Sequence, residues 1–290
     1  MSGLTLALLL AAQAPPATAP GTEVRALTVS FLDNKDGEVA ELSPSDVALT
    51  ENGVAREITS FKRDERPLSV AVLVDSSAGL GSAFRLNVVD AVSGFVGRLP
   101  VGTRYALWTT GERPTKVLDF TEDKEAAGKA LRMVAPQGGN YMLDGLAEAS
   151  ADLKKLAREG DRTVVVAVSA TGQELSYRDK FRAVEEAQRN ADLFLAVELD
   201  GGSADDDFDS RANLSYVLDH LANSSGGRYL VVISAMGADS GLRKLSAALR
   251  AGYRIAYATV PDLKKRKLEL KVARPGTKVI VPAPSGPPRS

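Results

Sequence analysis

The fold is decided by the stretch Leu68-Ser-Val-Ala-Val-Leu-Val-Asp75-Ser-Ser77. Its first part, Leu68 to Val74, is a nearly continuous apolar run, which is typical of a strand buried on both faces of a parallel sheet. Polar residues follow at once, beginning with Asp75. Because ligands of open parallel sheets bind beyond the carboxyl ends of the strands, the stretch predicts an α/β fold and the position of its functional face.

Helical and strand patterns alternate after this stretch. Phe84, Val88, Val92, Phe95 and Leu99 repeat at three- and four-residue steps, as in an amphipathic helix. Further strands are predicted at Arg104–Thr109, Lys116–Phe120, Arg162–Ser169, Asp192–Leu199 and Arg228–Ile233. Helices are predicted at 123–134, 143–156, 177–190, 214–221 and 242–250. This alternation predicts a doubly wound, mostly parallel sheet over residues 67–250.

The segments on either side of this domain, 23–66 and 251–283, have the two-residue alternation of β-strands. Asn52-Gly53 is a strong tight-turn signal within the first segment. Each segment is too small to bury a core of its own. We therefore predict that the two pair into one small β-rich unit, followed by a tail at 284–290. The predicted strands are 24–31, 46–50, 56–61, 253–260, 267–273 and 278–281.

Residues 1–22 resemble a signal segment with a Pro/Ala linker. Leu4 to Ala12 is apolar, and Ala12-Gln13-Ala14 resembles a cleavage site. No basic residue precedes the apolar run, and Pro15 would follow the cleavage, so a mis-assigned start or an uncleaved segment are the alternatives. The run is too short to span a bilayer. We expect an extracytoplasmic protein, periplasmic or secreted.

Composition and charge argue against several kinds of binding site. The chain has 290 residues, 25% of them charged, with a formal net charge of -1, which argues against a nucleic-acid surface. The short basic run Lys264–Lys267 is interpreted as a hairpin turn with a solvated face. There is no cysteine, so disulfides and thiolate sites are excluded.

Three stretches resemble the von Willebrand factor A-type (vWA) family. They are Val70–Gly79, Gly138–Leu146 and Val164–Gly172. Flanking stretches such as Leu42–Gly53 and Leu249–Tyr253 resemble the acidobacterial-type subfamily of vWA-related proteins, which are exported bacterial proteins. The resemblance implies a Rossmann-like fold that binds proteins and carries a metal-ion-dependent adhesion site, where Mg²⁺ takes oxygen ligands.

The resemblance also implies that this metal site is degenerate. Asp75 and Ser77 match two of the five family ligands, while Gly79 stands where a second serine would be. Asn140 stands in place of a threonine, and Ala170 or Thr171 in place of the last carboxylate. Glu174 could reach in from the same loop. Mg²⁺ therefore stays open as a cofactor, with Asp75, Ser77 and Asn140 as its ligands, although no cofactor is the expectation. The predicted partner-binding face comprises Asp75, Ser76, Ser77, Asn140, Tyr141 and Thr171.

These observations predict an exported, adhesion-type protein-interaction module. The alternatives are Mg²⁺-dependent adhesion and a structural role in the cell envelope. We expect no enzyme and no small-molecule substrate. His220 is the single histidine, the sequence has no nucleophile-elbow motif, and no Gly-Lys-Ser/Thr follows Gly79-Leu-Gly81 as it would in a phosphate loop. Asp205–Asp209 is interpreted as an acidic loop near a helix start rather than a Ca²⁺ site, and Trp108 as a core residue.

Overall fold

A computed structural model describes residues 23–200, 208–261 and 266–283 of the chain. The strands are β1 Glu23–Leu32, β2 Val47–Glu51, β3 Val54–Arg56, β4 Ile58–Arg63, β5 Leu68–Val74, β6 Arg104–Thr109, β7 Thr115–Thr121, β8 Arg162–Ala170, β9 Leu193–Leu199, β10 Arg228–Val232, β11 Gly252–Thr259, β12 Leu268–Val272 and β13 Lys278–Ile280. The α-helices are α1 Gly81–Ala83, α2 Val89–Gly97, α3 Ala126–Arg132, α4 Met142–Leu156, α5 Lys180–Gln188, α6 Phe208–Ser225 and α7 Ala238–Arg250. A π-helical turn, Phe84–Val88, joins α1 to α2, and 3-10 turns lie at Pro44–Asp46, Ala78–Leu80 and Ala235–Gly237.

The central sheet has six strands in the order β10-β9-β8-β5-β6-β7. All neighbours are parallel except β7, which runs antiparallel to β6. Every residue of β5 is buried, because helices cover both faces of the sheet. Val70 and Val72 pack towards α2 and α7, whereas Ala71 and Leu73 pack towards α4 and α6. The predicted doubly wound, mostly parallel α/β fold is confirmed.

The flanking segments form one β unit, as predicted. β1 of the first segment pairs antiparallel with β11 of the second, and β2 pairs with β12. The result is a four-stranded sheet, β13-β1-β11-β4, facing a three-stranded sheet, β12-β2-β3. Phe31, Phe61 and Tyr253 form the aromatic centre of the core of this unit, with ring centroids 4.9 to 6.0 Å apart.

Two details of the flanks differ from the sequence-based expectations. The predicted strand at 56–61 is divided at Glu57, so that β3 pairs with β2 and β4 pairs with β11 in the other sheet. The basic run does not close a hairpin, because β11 and β12 belong to different sheets. Arg266 at its edge is not solvated but donates to Glu51, which is fully buried. Lys264 and Lys265 lie outside the described residues.

The β unit meets the central domain at the amino end of β5. Asp64, in the link between β4 and β5, forms ion pairs with Arg66 and with the buried Arg162 at the start of β8. The backbone N–H of Asp64 donates to the carbonyl of Gly252, where the chain returns to the β unit. Both chain crossings between the two units therefore converge on one buried arginine.

In the part of the chain that the structure describes, no helix is long and apolar enough to cross a membrane. The predicted signal segment, residues 1–22, lies outside the described residues, and so does the acidic stretch at 201–207. The interpretations of both segments stay predictions.

Candidate functional site

Three loops meet at the carboxyl edge of the central sheet, where parallel strands end side by side. Asp75 follows β5, and its backbone N–H donates to the carbonyl of Val168 in β8 at 2.8 Å. On the other side of β5, the N–H of Thr110 donates to the carbonyl of Val74 at 3.2 Å. These backbone hydrogen bonds between neighbouring strands align the strand ends, so that the residues after them lie side by side at the ligand-binding edge of the sheet.

Asp75 lies at the centre of this edge and is 1% exposed. Its Oδ1 accepts from the backbone N–H of Ser77 at 2.7 Å, and its Oδ2 accepts from the N–H of Ala170 at 2.9 Å. Burial raises the pKa of the Asp75 carboxyl, and these hydrogen bonds lower it in part. The two bonds tie the loop after β5 to the end of β8.

Asn140 supplies the third donor to Asp75. Its Nδ2 donates to Asp75 Oδ2 at 3.2 Å and to Ser169 Oγ at 2.8 Å, and its Oδ1 accepts from the Thr110 hydroxyl at 2.7 Å. The orientation of the amide follows from chemistry, because a carboxylate can only accept and so requires the nitrogen. The Asn140 side chain thus links the ends of three neighbouring strands through one buried network.

Glycines shape the loop that carries Asn140. Gly138 has a φ of +64°, and a Cβ there would lie 3.0 Å from the backbone nitrogen of Glu112. Only glycine combines this left-handed conformation with so close an approach. The carbonyl of Gly138 in turn accepts from the N–H of Ala78 at 3.0 Å, which fixes the loop over the one that follows Asp75.

The other four predicted partner-face residues lie in three different places. Ser77 and Thr171 line a cavity above Asp75. Ser76 is buried beneath it, where its Oγ accepts from the N–H of Gly111 at 3.0 Å. Tyr141 lies to one side, with its ring 6.2 Å from that of Tyr177.

At three positions this chain has a different residue from the metal ligand of the family: Gly79, Asn140, and Ala170 or Thr171. None of these side chains places a second carboxylate beside Asp75. The hydroxyl of Thr171 lies 3.3 Å from the carbonyl oxygen of Leu199 and 3.4 Å from Oδ1 of Asp200. Glu174, the candidate for an added ligand, instead accepts from the N–H of Leu143 at the start of α4 and from the Ser176 hydroxyl. Burial raises the pKa of Glu174, against these hydrogen bonds.

This donor set does not fit Mg²⁺, which is held by oxygen ligands with carboxylates supplying the charge. The group that faces Asp75 from Asn140 is an N–H donor, where a metal site needs an oxygen acceptor. Among the described residues there is no group of three or more His, Cys, Asp or Glu side chains that could hold a metal ion.

A cavity of about 520 Å³ opens above Asp75. Five loops line it, and sequence analysis placed three of them, those carrying Asp75, Asn140 and Thr171, on the partner-binding face. The loop after β9 contributes Asp200, and the loop after β10 contributes Ile233, which is 92% exposed. Thr110 was missed as a member of the site, although it stands at the end of an apolar run, which is the signal that could have found it.

The remaining candidates lie apart from this edge. His220 stacks on Tyr216 in α6, with ring centroids 5.7 Å apart. Trp108 is a buried residue of the core between the sheet and α4. Of the acidic stretch Asp205–Asp209, the structure describes only the helical backbone from Phe208 onwards.

Comparisons with known proteins agree with this architecture. Residues 70–173 match the family model described as the von Willebrand factor type A domain. A search among curated proteins finds no match.

Three solved structures are similar in fold. A von Willebrand factor type A protein from Catenulispora acidiphila has a TM-score of 0.54 at 12% identity, over 91% of this chain and 72% of that one. The von Willebrand factor domain of a type V pili tip protein from Porphyromonas gingivalis has 0.51 at 12%, over 63% and 95%. Proximal thread matrix protein 1 from the mussel byssus, with a zinc-occupied metal-ion-dependent adhesion site, has 0.52 at 18%, over 69% and 49%. This chain thus spans about half the length of the mussel protein.

Proposed function

The chain carries a von Willebrand factor type A domain, and from this premise we propose that it is an adhesion-type protein-interaction module that binds its partner without a metal ion. The contact face is the carboxyl edge of the central sheet. The observation that carries the proposal is the hydrogen bond from the Asn140 amide to Asp75. It supplies an uncharged donor to the one carboxylate that would hold the ion.

The cavity supports a binding role for this face. Its floor is a rigid network in which Asp75, Asn140, Ser169 and Thr110 are all hydrogen-bonded to one another or to neighbouring backbone. Its rim carries exposed apolar side chains, Ile233 and the nearby Met236, which are 92% and 79% exposed. Apolar surface that stays exposed beside a cleft is a mark of protein interaction sites. No catalytic role is proposed.

Metal-dependent binding is the alternative, since the similar mussel protein has a zinc-occupied metal-ion-dependent adhesion site. Titration calorimetry of the whole chain with Mg²⁺, Mn²⁺, Ca²⁺ and Zn²⁺ separates the two. We expect no heat of binding and no thermal stabilisation at millimolar ion. Saturable binding that disappears in Asp75→Ala would overturn the metal-free proposal.

The face itself is tested by capturing the partner from an extract of the source cells, with and without a chelator. Ile233→Asp places a charge on the rim, while Val101→Asp makes the same change at a residue 99% exposed at the opposite edge of the sheet. We expect the same partner band with the wild type in chelator and with Val101→Asp, and its loss with Ile233→Asp. A band that survives Ile233→Asp, or disappears in chelator, contradicts the proposal.

We further propose that the module is exported, which rests on the apolar run Leu4–Ala12 and the small residues after it. Fusion of residues 1–30 to a reporter that is active only outside the cytoplasm tests this. An inactive reporter, with the fusion protein stable in the cytoplasm, would contradict export.

A further inference from the structure

The outer strand β10 has one side of its backbone open. Among the described residues it pairs with β9 and with no strand on its other side. The carbonyl of Val232 accepts from the N–H of Asp200 at 2.7 Å, so the backbone of Val232 faces β9. Because backbone groups alternate in direction along a strand, those of Tyr229 and Val231 point away from the sheet. Donors and acceptors at this spacing are complementary to those of another extended chain.

The side chains along this open side are uncharged and partly exposed. Val231 is 55% exposed, and Ile233, directly after the strand, is 92% exposed. Tyr229, on the same face of the strand, is fixed by a hydrogen bond from its hydroxyl to Glu198. The charged residue of β10, Arg228, is 15% exposed at its side chain and pairs with Asp36 at 3.1 Å. A second strand would therefore meet no unneutralised charge of β10.

The other outer strands in the described part of the chain are protected against such pairing. Two of them, β3 and β13, are only three residues long. The remaining three carry charged side chains, which are Lys62 and Arg63 in β4, Lys116 and Asp119 in β7, and Glu269 and Lys271 in β12. Short length and charge are the usual means by which proteins prevent edge-to-edge association. β10 has neither along its open side.

We propose that β10 pairs antiparallel with β10 of a second copy of this chain, about a two-fold axis at Val231. The same residue then faces itself across the axis, and Tyr229 lies opposite Ile233 of the other copy. An aromatic side chain beside a β-branched one stabilises such a pair of strands. One register thus covers both exposed apolar side chains, while the Arg228 charges are already neutralised within each copy. A two-fold contact closes after two copies, so the product is a dimer.

Sedimentation velocity of the whole chain over a micromolar concentration series tests the dimer. We expect the dimer fraction of the wild type to rise with concentration. Val231→Lys and Val231→Glu should each weaken association about tenfold or more, because like charges then face each other across the axis. An equimolar mixture of the two variants should dimerise again, since opposite charges meet. Val54→Lys changes a strand residue with a similar exposure of 54% in β3, and it should leave the dimer unchanged.

Amide hydrogen exchange of the wild type adds a test that needs no variant. In concentrated solution the amides of Tyr229 and Val231 should become protected, whereas the amide of Val232, which faces β9, should be protected at every concentration. A monomer throughout the series, no recovery in the mixture, or equal losses from Val54→Lys and Val231→Lys would each overturn the inference. So would a dimer in which the amide of Val231 stays unprotected.

These results are independent of the proposed function. Val231 is not among the residues that line the cavity above Asp75, and its variants leave Ile233 in place. Partner capture by the carboxyl edge of the sheet and self-association through the side of β10 are therefore measured separately.

Discussion

An aspartate with a buried side chain lies in the link before β5 and another directly after β5, and the two are satisfied in opposite ways. At the amino end Asp64, 1% exposed at its side chain, pairs with Arg66 at 2.7 Å and with Arg162 at 3.6 Å. At the carboxyl end Asp75 is equally buried and has only neutral donors among the described residues. The amino end joins two parts of one chain, whereas the carboxyl end faces a cavity. The carboxylate before β5 is thus held mainly by opposite charge, and the carboxylate after β5 by hydrogen bonds from neutral groups.

The pKa values follow the same division. Burial raises the pKa of both carboxyls, but at Asp64 the hydrogen bonds and charge of Arg66 and Arg162 outweigh it, and the pKa is lowered. At Asp75 burial dominates, and the pKa is raised. Linkage then gives the two residues opposite effects on stability as the pH changes.

The largest effect is expected from removing the charge at the amino end. Asp64→Asn leaves Arg162, 2% exposed, without its full counter-charge, and the loss of one partner of a buried pair costs about 3–5 kcal/mol. Urea unfolding of the whole chain measures it. The exposed pair of Asp90 with Arg132 is the control, and Asp90→Asn should cost less than about 1 kcal/mol. A loss at Asp64 no greater than the loss at Asp90 would remove the contrast between the two ends.

A smaller loss is expected from adding charge at the carboxyl end. Asn140→Asp replaces the amide donor, 3.2 Å from Asp75, by a second carboxylate. We expect a loss of roughly 2–3 kcal/mol without metal, from an unpaired buried charge and a lost hydrogen bond. Millimolar Mg²⁺ or Mn²⁺ should restore part of it in this variant and none in the wild type. Asn140→Ala, which lacks the charge, is the matched control and should show no rescue by metal.

A third prediction concerns the pH dependence of the free energy of unfolding, at about 1.4 kcal/mol per unit of pKa shift. The folded pKa of Asp75 is above its unfolded value, so the wild type should lose stability relative to Asp75→Asn as the pH rises from the ordinary carboxyl range towards neutral. The folded pKa of Asp64 is lowered, so relative to Asp64→Asn the wild type should lose stability as the pH falls through the acid range. Urea midpoints measured from acid to neutral pH provide the test. Parallel curves for the two variants would contradict the opposite shifts.

The smallest effect is expected at Thr171, whose hydroxyl lies 3.3 Å from the carbonyl oxygen of Leu199 and 3.4 Å from Oδ1 of Asp200. Thr171→Val keeps the shape of the side chain and should cost about 0.5–1.5 kcal/mol, the usual contribution of one such bond. The melting temperature of Thr171→Val is compared with that of Thr110→Val, because the Thr110 hydroxyl donates directly to Asn140 at 2.7 Å. Thr110→Val should be the more destabilising of the two.

Much of the fold and part of the candidate site could be predicted from the sequence. The apolar run of β5, the polar residues after it and the alternation of strands with helices predicted the sheet and its functional edge. Asp75 and Thr171 were selected from their places after strand ends and Ser77 from its match to the family loop, and all three line the cavity. The pairing of the two flanks followed from each being too small to fold alone.

Contacts between residues distant along the chain could not be anticipated in this way. The division of 56–61 between two sheets, and the bond from Arg266 to Glu51, depend on which strands become neighbours. Glu174 lies in the expected loop, yet its carboxylate accepts from Leu143, because the loop turns towards α4.

The sequence by itself determined the pattern of buried and exposed positions, since burial follows the local period of apolar side chains. It thereby determined the α/β class and the edge at which Asp75 lies. Only the tertiary structure decided which groups pair with the two buried aspartates that flank β5, Asp64 and Asp75. Hydrogen bonds and ion pairs are short-ranged and directional, so Arg162 for Asp64 and the Asn140 amide for Asp75 depend on loops brought together by the whole sheet.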